Sequence, residues 1–270
     1  NYPDTNNSLF KKFWPASLHV IGKDILRFHA IYWPAFLMAA KIEPPKRIFG
    51  HGWILSNDEK MSKSKGNILN PVEIIDTYGI DQLRYYLMKE VSHGSDGSIS
   101  LENLENCINS DLANNFGNLC QRIFSFVKTN CSNKVKKNKN TSLNDKALIK
   151  QTDALMVNLR DLMNDQKLNT YIKAVIEISF LTNKYINDEE PWKLKNTNID
   201  KMNNILHLAL EQIAKISILL NPIIPIASTK VLDALNINDD KRKLSFLKGG
   251  NLLNDEIKIE SLDILFKKIN

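Results

Sequence analysis

The sequence predicts an α/β segment followed by an all-α segment, and three observations carry that prediction. Two short strand-like runs, Leu18–Ile21 and Ile48–Leu55, flank one helical run, as in a parallel βαβ crossover. From Leu101 onward the pattern is helical only, opening with apolar residues from Leu104 to Val127 at steps of three and four. Pro191, Pro222 and Pro225 punctuate those helical runs, as in a bundle with mostly short connections. The predicted division is an α/β unit over 1–100, a helical unit over 101–236, and a charged tail over 237–270 that packs back through Ile264-Leu265-Phe266.

Composition supports a folded chain. Of 270 residues, 43% are hydrophobic, enough for a substantial core. The net charge of +6 is compatible with an anionic partner. Cys107, Cys120 and Cys131 show no CxxC spacing, so neither a disulfide framework nor a zinc site is expected. No apolar run approaches the roughly 20 residues that span a bilayer, and no signal peptide is visible. A reducing, cytoplasmic setting is the expectation. The chain begins Asn1-Tyr2-Pro3, which reads as the middle of a longer protein.

In chain order, the first strand ends at Gly22-Lys23-Asp24 and a helix begins. That junction gathers free backbone N–H groups, and the strand's carboxyl end opens toward the usual ligand crevice of an α/β sheet. Ile25, His29 and Trp33 are spaced i, i+4, i+8 and share a helix face. The spacing alone leaves His29 and Trp33 either core residues or ligand contacts. The second strand, 48–55, leads through an Asn57-Asp58 turn into Lys60-Met61-Ser62-Lys63-Ser64-Lys65-Gly66-Asn67. This lysine-rich loop between a strand and a helix can reach a polyphosphate, or can simply be a solvated turn. Asn70 is the expected N-cap of the next helix, Pro71 its first residue and Gly79 its end. Asp81 is expected to cap the helix after that, and 93–98 reads as a loop. Leu104, Ile108, Leu112, Phe116, Leu119, Ile123 and Val127 predict one long amphipathic helix. Residues 128–140, with five lysines and no acid, read as an exposed linker. Further helices are predicted near 144–164, 167–187, 199–220 and 226–236.

Four stretches resemble one family, the methionyl-tRNA synthetases of class I. They are His19-Val20-Ile21-Gly22-Lys23-Asp24-Ile25 with Phe28-His29 and Trp33-Pro34-Ala35; His51-Gly52 with the lysine loop; Asp81-Gln82-Leu83-Arg84-Tyr85-Tyr86; and Asn109-Ser110-Asp111-Leu112-Ala113-Asn114 with Gly117-Asn118-Leu119, Arg122 and Pro191-Trp192. The lysine loop matches the KMSKS signature of class I enzymes, and the Gly22-Lys23-Asp24 helix narrows it to the methionine enzyme.

The resemblance implies the second half of a class I Rossmann-type nucleotide-binding fold, joined to an anticodon-binding helix bundle. It implies a methionine–tRNA ligase that uses ATP with Mg2+ as substrate, with methionine and tRNA(Met) as the other partners. Lys60 and Lys63 are then the catalytic lysines, meeting charge that develops on the leaving pyrophosphate; one such donor is worth on the order of 3 kcal/mol. ATP is expected at Gly22, Asp24, His51, Lys60, Met61, Ser62, Lys63 and Ser64. For His51, the residues alone also allow a strand histidine bonded to neighbouring backbone. Methionine is expected at Ile25, His29 and Trp33, where a thioether suits apolar and aromatic walls. The anticodon is expected at Asn118, Arg122 and Trp192, through hydrogen bonds and stacking; a surface salt bridge for Arg122 and core packing for Trp192 are the alternatives. No His-x-Gly-His motif and no zinc-bearing insertion occur in the chain. It therefore resembles a C-terminal half, inactive alone, without structural zinc or membrane contact, and monomeric. A non-catalytic tRNA-binding module is the competing reading. Leucine, isoleucine or valine enzymes share the lysine loop but not the Asn118, Arg122 and Trp192 set.

Overall fold

In the computed structural model, which describes residues 4, 6–62, 68–92, 94–138, 141–248 and 252–269, the chain divides into two compact units. The first comprises Asn1–Ile68 and Val91–Ile99. Its α1 (Ser8–Phe13), capped by the Asn7 side chain, leads to β1 (His19–Gly22). β1 pairs in parallel with β2 (Ile48–His51), in register from His19 opposite Ile48 to Gly22 opposite His51. The crossover between them is a 3₁₀ turn (Lys23–Ile25), a π-helical turn (Phe28–Tyr32) and α2 (Trp33–Ala39).

The predicted strand over 48–55 is two strands in two sheets. After β2 the chain breaks at Gly52-Trp53, then resumes as β3 (Ile54–Ser56). Gly52 causes the break: a Cβ there would lie 2.1 Å from the Ser95 carbonyl oxygen, so only glycine lets the two backbones approach this closely. β3 turns back through Asn57 and Asp58, both at positive φ (49° and 65°), into β4 (Glu59–Lys60). On its other side β3 pairs in parallel with β5 (Gly97–Ile99). The predicted loop over 93–98 thus ends in strand, because backbone pairing with β3 outweighs its Gly/Ser composition.

The second unit comprises Leu69–Glu90 and Ser100–Asn270. It holds α3 (Pro71–Tyr78), α4 (Ile80–Glu90) and α5 (Leu101–Cys107), followed by a π-helical stretch (Ile108–Gly117) and α6 (Asn118–Asn130). β6 (Lys134–Lys136) leads to α7 (Leu143–Met156), α8 (Leu159–Asn164) and α9 (Leu168–Glu189). α10 (Pro191–Leu194), α11 (Ile199–Leu220), α12 (Pro225–Ala234) and β7 (Glu256–Lys258) complete it. The division therefore differs from a boundary at 100, since α3 and α4 group with the helices.

The reason lies in α4. Asn70 caps α3 and Gly79 ends it at φ +104°, as the sequence predicts. Asp81, however, does not cap its own helix. It is buried in the first turn of α4, and its carboxylate accepts from the Ala227 and Ile226 N–H groups (2.7 and 3.4 Å) at the start of α12. One turn on, Arg84 donates to the Ile223 and Pro222 carbonyls (2.9 and 2.7 Å) beyond the end of α11. Tyr85 donates to Asp111 at 2.7 Å, and the Tyr86 hydroxyl accepts from the Ser100 N–H. The Asp81–Tyr86 motif is thus an anchor for α4.

The predicted long helix is continuous from Leu101 to Asn130, and its apolar stripe is buried. Its middle, Ile108–Gly117, is π-helical. Asn115 there accepts from Ser179 and Asn183 of α9, both at 2.9 Å. The predicted linker over 128–140 contains β6, which pairs antiparallel with β7 and buries Val135. Lys-Val-Lys has the two-residue period of a half-buried strand, and its partner comes from the tail. The predicted helix over 144–164 is broken between α7 and α8. α11 is buried on nearly every side from Met202 to Leu220, packed by α9 and α12, and forms the core. The tail docks through Phe266, buried near Gly117, and through Ile269, which exchanges two hydrogen bonds with Asn109.

Candidate functional site

In the first unit, Gly22 and His51 are register partners at the carboxyl ends of two parallel strands, where ligands of open α/β sheets bind. Asp24 follows in the exposed 3₁₀ turn. Its carboxylate accepts from the Trp53 indole N–H at 2.7 Å. The Lys60 ammonium lies 4.0 Å from the Trp53 ring centroid, and that of Lys23 lies 4.6 Å from it. Lys23 also pairs with Asp96 at 2.6 Å, and Asp96 accepts from the Trp53 backbone N–H at 2.8 Å. The Lys23 hydrogen bond, then the Trp53 N–H, hold the Asp96 carboxyl below its usual range. Gly22, Asp24, His51 and Lys60 thus share one unit, with Trp53 joining two of them. Met61 and Ser62 are half-buried beyond Lys60. Lys63 and Ser64 lie outside the described residues. His51 Nδ1 faces the Gly52 carbonyl at 2.9 Å; a carbonyl only accepts, so that nitrogen carries the proton.

Sequence reasoning missed Trp53, Lys23 and Asp96. The one available signal was an aromatic residue placed directly after a glycine at a strand's carboxyl end.

An open apolar groove of about 840 Å³ lies in the same unit. His29 and Trp33 line it, together with Trp14, His19, Phe28 and Tyr32. Trp14 and Trp33 meet edge-on with centroids 6.3 Å apart, and Phe28 and Tyr32 do so at 5.6 Å. Ile25 is not part of this lining. Its carbonyl instead holds His29 Nδ1 at 2.9 Å, because the backbone between them passes from a 3₁₀ turn toward a π turn. π turns insert a residue into the helical ladder and often occur at functional sites.

In the second unit, Asn118 opens α6 and Arg122 follows one turn later. The Arg122 guanidinium donates to Asn187 Oδ1 at 2.8 Å and lies 5.7 Å from the Trp192 ring centroid. Trp192 is 42% exposed. Glu190, in the left-handed region at φ 45°, turns the chain from α9 into α10 and delivers Trp192 to this face. Among the described residues the exposed Asn118 side chain has no hydrogen-bond partner. Arg122 thus pairs with an amide rather than an acid, and Trp192 stays open.

The cysteines are free thiols. Burial pushes Cys107 up to about 12 and raises Cys120 further, so neither is a nucleophile. Among the described residues no group of three or more His, Cys, Asp or Glu could hold a metal ion, and no helix is long and apolar enough to cross a membrane.

Comparison with known proteins gives the family. Residues 2–124 match the family described as tRNA synthetases class I (M). Residues 135–270, half of the chain, match the anticodon binding domain of methionyl tRNA ligase. The chain belongs to the methionyl-tRNA ligase family. A methionine–tRNA ligase of Brucella suis is 44% identical over 244 residues, covering 90% of this chain and 47% of that protein. One of Rickettsia typhi is 41% identical and covers 99% of this chain and 53% of that protein. A solved structure, Mycobacterium tuberculosis methionyl-tRNA synthetase bound by methionyl-adenylate, superposes with a TM-score of 0.93 at 37% identity. It covers 99% of this chain and 53% of that one. The chain thus spans about half the length of the ligase-family members it matches. Its architecture is theirs: a class I segment, then a helical anticodon-binding region.

Proposed function

We propose that the protein carrying this chain is a methionine–tRNA ligase. It joins methionine to ATP, supplied with Mg2+ as substrate, to give methionyl-adenylate and pyrophosphate, then passes the methionyl group to tRNA(Met). The observation that carries the reading is the grouping of Gly22, Asp24, His51 and Lys60 around the carboxyl ends of β1 and β2 in a chain of this family.

Gly22 lets the nucleotide approach the backbone, and Asp24 accepts from ribose hydroxyls with the oxygen lone pairs that Trp53 leaves open. His51 lies beside the nucleotide. Lys60 and Lys63, with Met61, Ser62 and Ser64 around them, bring ammonium charge to the departing pyrophosphate. The methionine carboxylate oxygen bonds to the α-phosphorus as the bond from that phosphorus to the bridging oxygen breaks. Its electron pair leaves with pyrophosphate, and the lysines favour the state in which that charge has developed. The groove at His29 and Trp33 takes the methionine thioether among aromatic rings, and Ile25, on the same crossover, is assigned to methionine through the family resemblance alone. Asn118 and Arg122 hydrogen-bond splayed anticodon bases, and Trp192 stacks on one. The protein works as a cytoplasmic monomer, and this chain holds no structural zinc.

A second reading, a non-catalytic tRNA-binding module, is favoured by the lack of a His-x-Gly-His motif in these 270 residues. Methionine-dependent ATP–pyrophosphate exchange separates the two. The full gene product is expected to catalyse it, and the chain alone is not. A full gene product that binds tRNA(Met) but never supports exchange would favour the module. Exchange by the chain alone at the rate of a whole enzyme would sink the proposed division of labour.

A further inference from the structure

We infer that Trp53 is a positioning residue of the nucleotide site, holding Asp24 with its indole N–H and Lys60 with its ring face. The inference rests on the proposed function only for the identity of the nucleotide.

The backbone of Trp53 is fixed on both sides. Its N–H donates to Asp96 at 2.8 Å, and its carbonyl accepts from Gly97 at 2.8 Å. Gly52, against Ser95, leaves no space for the chain to slide. Strand geometry then aims the ring. Trp53 lies two residues before Leu55, and Leu55 faces Lys60 across the β3–β4 pair. Trp53 and Lys60 are therefore diagonal neighbours on one face, within reach of long side chains. The ammonium does rest there, 4.0 Å from the centroid. The indole N–H meanwhile bonds Asp24 Oδ2 at 2.7 Å, and donation to a carboxylate enriches the ring in electron density. One rigid side chain thus connects a carboxylate at the start of the crossover to the first lysine of the loop.

The strengths suit a holding role. A cation–π contact at an open site is weaker than a charge-assisted hydrogen bond to phosphate. Trp53 keeps Lys60 beside the site without nucleotide and yields it to a polyphosphate. It touches neither substrate nor reacting atoms in this role.

The test uses the full gene product labelled with 5-fluorotryptophan. Trp53→Phe assigns the Trp53 fluorine resonance by its disappearance. Lys60→Met is expected to shift that resonance without ligand, and inorganic tripolyphosphate is expected to shift the wild-type resonance the same way as Lys60 leaves the ring. In exchange kinetics, Trp53→Leu removes both functions and is expected to lower kcat/KM for ATP by about 2- to 30-fold. Trp53→Phe keeps the ring face and loses the N–H, so it should raise KM for ATP and leave kcat near wild type. Equal effects of Phe and Leu, or a Trp53 resonance indifferent to Lys60→Met, would overturn the inference. Should no amino acid support exchange while the resonance responds, the ligase reading fails and the Trp53–Lys60 contact stands.

Discussion

Asp81→Ala tests how the second unit is held together. Pro225 opens α12 without an N–H, and Ser228 already bonds the Ile224 carbonyl at 3.0 Å. Ile226 and Ala227 remain, and Ile224 at the N-cap offers no side-chain acceptor. Both N–H groups go to Asp81, which is 4% exposed. Losing a cap costs typically about 1 kcal/mol, and a hydrogen bond to a charged group is worth about 1.5–3 kcal/mol. The 3.4 Å bond is weak and the 2.7 Å bond strong, so Asp81→Ala should destabilise the second unit by about 2–3 kcal/mol. For a unit of this size that is roughly 5–10 °C in Tm. Asp81→Asn keeps an acceptor and loses the charge at the helix N-terminus, a loss of about 1 kcal/mol. Urea and thermal unfolding followed by circular dichroism measure both. An alanine variant within about 0.5 kcal/mol of wild type, or an asparagine variant as damaged as the alanine one, would refute the capping account.

Three further outcomes are expected. Arg122→Ala should weaken binding of tRNA carrying a CAU anticodon far more than of other tRNAs in filter binding; equal loss across tRNAs would point to phosphate contact instead. Gly52→Ala places a methyl 2.1 Å from backbone and should destabilise the first unit by about 3 kcal/mol, seen as faster proteolysis there; unchanged proteolysis would contradict the close approach. Burial lowers the His207 pKa, against the bond to the Asn254 carbonyl and the nearby Glu211 and Asp255 charges and with that of Lys137. Its folded state thus binds protons less readily than the unfolded chain. Its contribution is complete above about pH 6.5 and is lost as pH falls from there through the lowered folded value. His207→Gln should flatten the acid limb of a Tm–pH curve, and an unchanged limb would exclude it.

What was legible in the sequence follows a physical line. Periods are local, so β1, β2, the buried stripe from Leu104 to Val127 and the caps at Asn70 and Gly79 could be read directly. Partners are not local. Lys134–Lys136 reads as a charged linker until β7 supplies its other strand, and 93–98 reads as a loop until β3 does. Asp81 has the composition of an N-cap and does cap a helix, but one that begins at Pro225. Periodicity also misjudged helix type, since both π stretches carry the apolar spacing of an ordinary helix.

The same distinction separates two kinds of motif residue. Within Asp81–Tyr86 and Asn109–Asn114, and at Asn115 just beyond, named side chains end on other parts of the second unit: Asp81 on α12, Arg84 beyond α11, Asn109 on the tail, Asn115 on α9. Their polar groups are used up inside the fold, so substitution there should register as stability. Gly22, Asp24, Lys60, Asn118 and Trp192 are instead open or half-open, at strand ends or on a helix face. Arg122 stands between the two kinds. Its guanidinium is held by Asn187 and laid near Trp192, which limits its rotamers without any ligand. A held donor loses less entropy on binding than a free one. On that argument, Asn187→Ala should leave stability nearly unchanged and still reduce discrimination for CAU. A loss of folding with discrimination intact would place Asn187 among the structural residues instead.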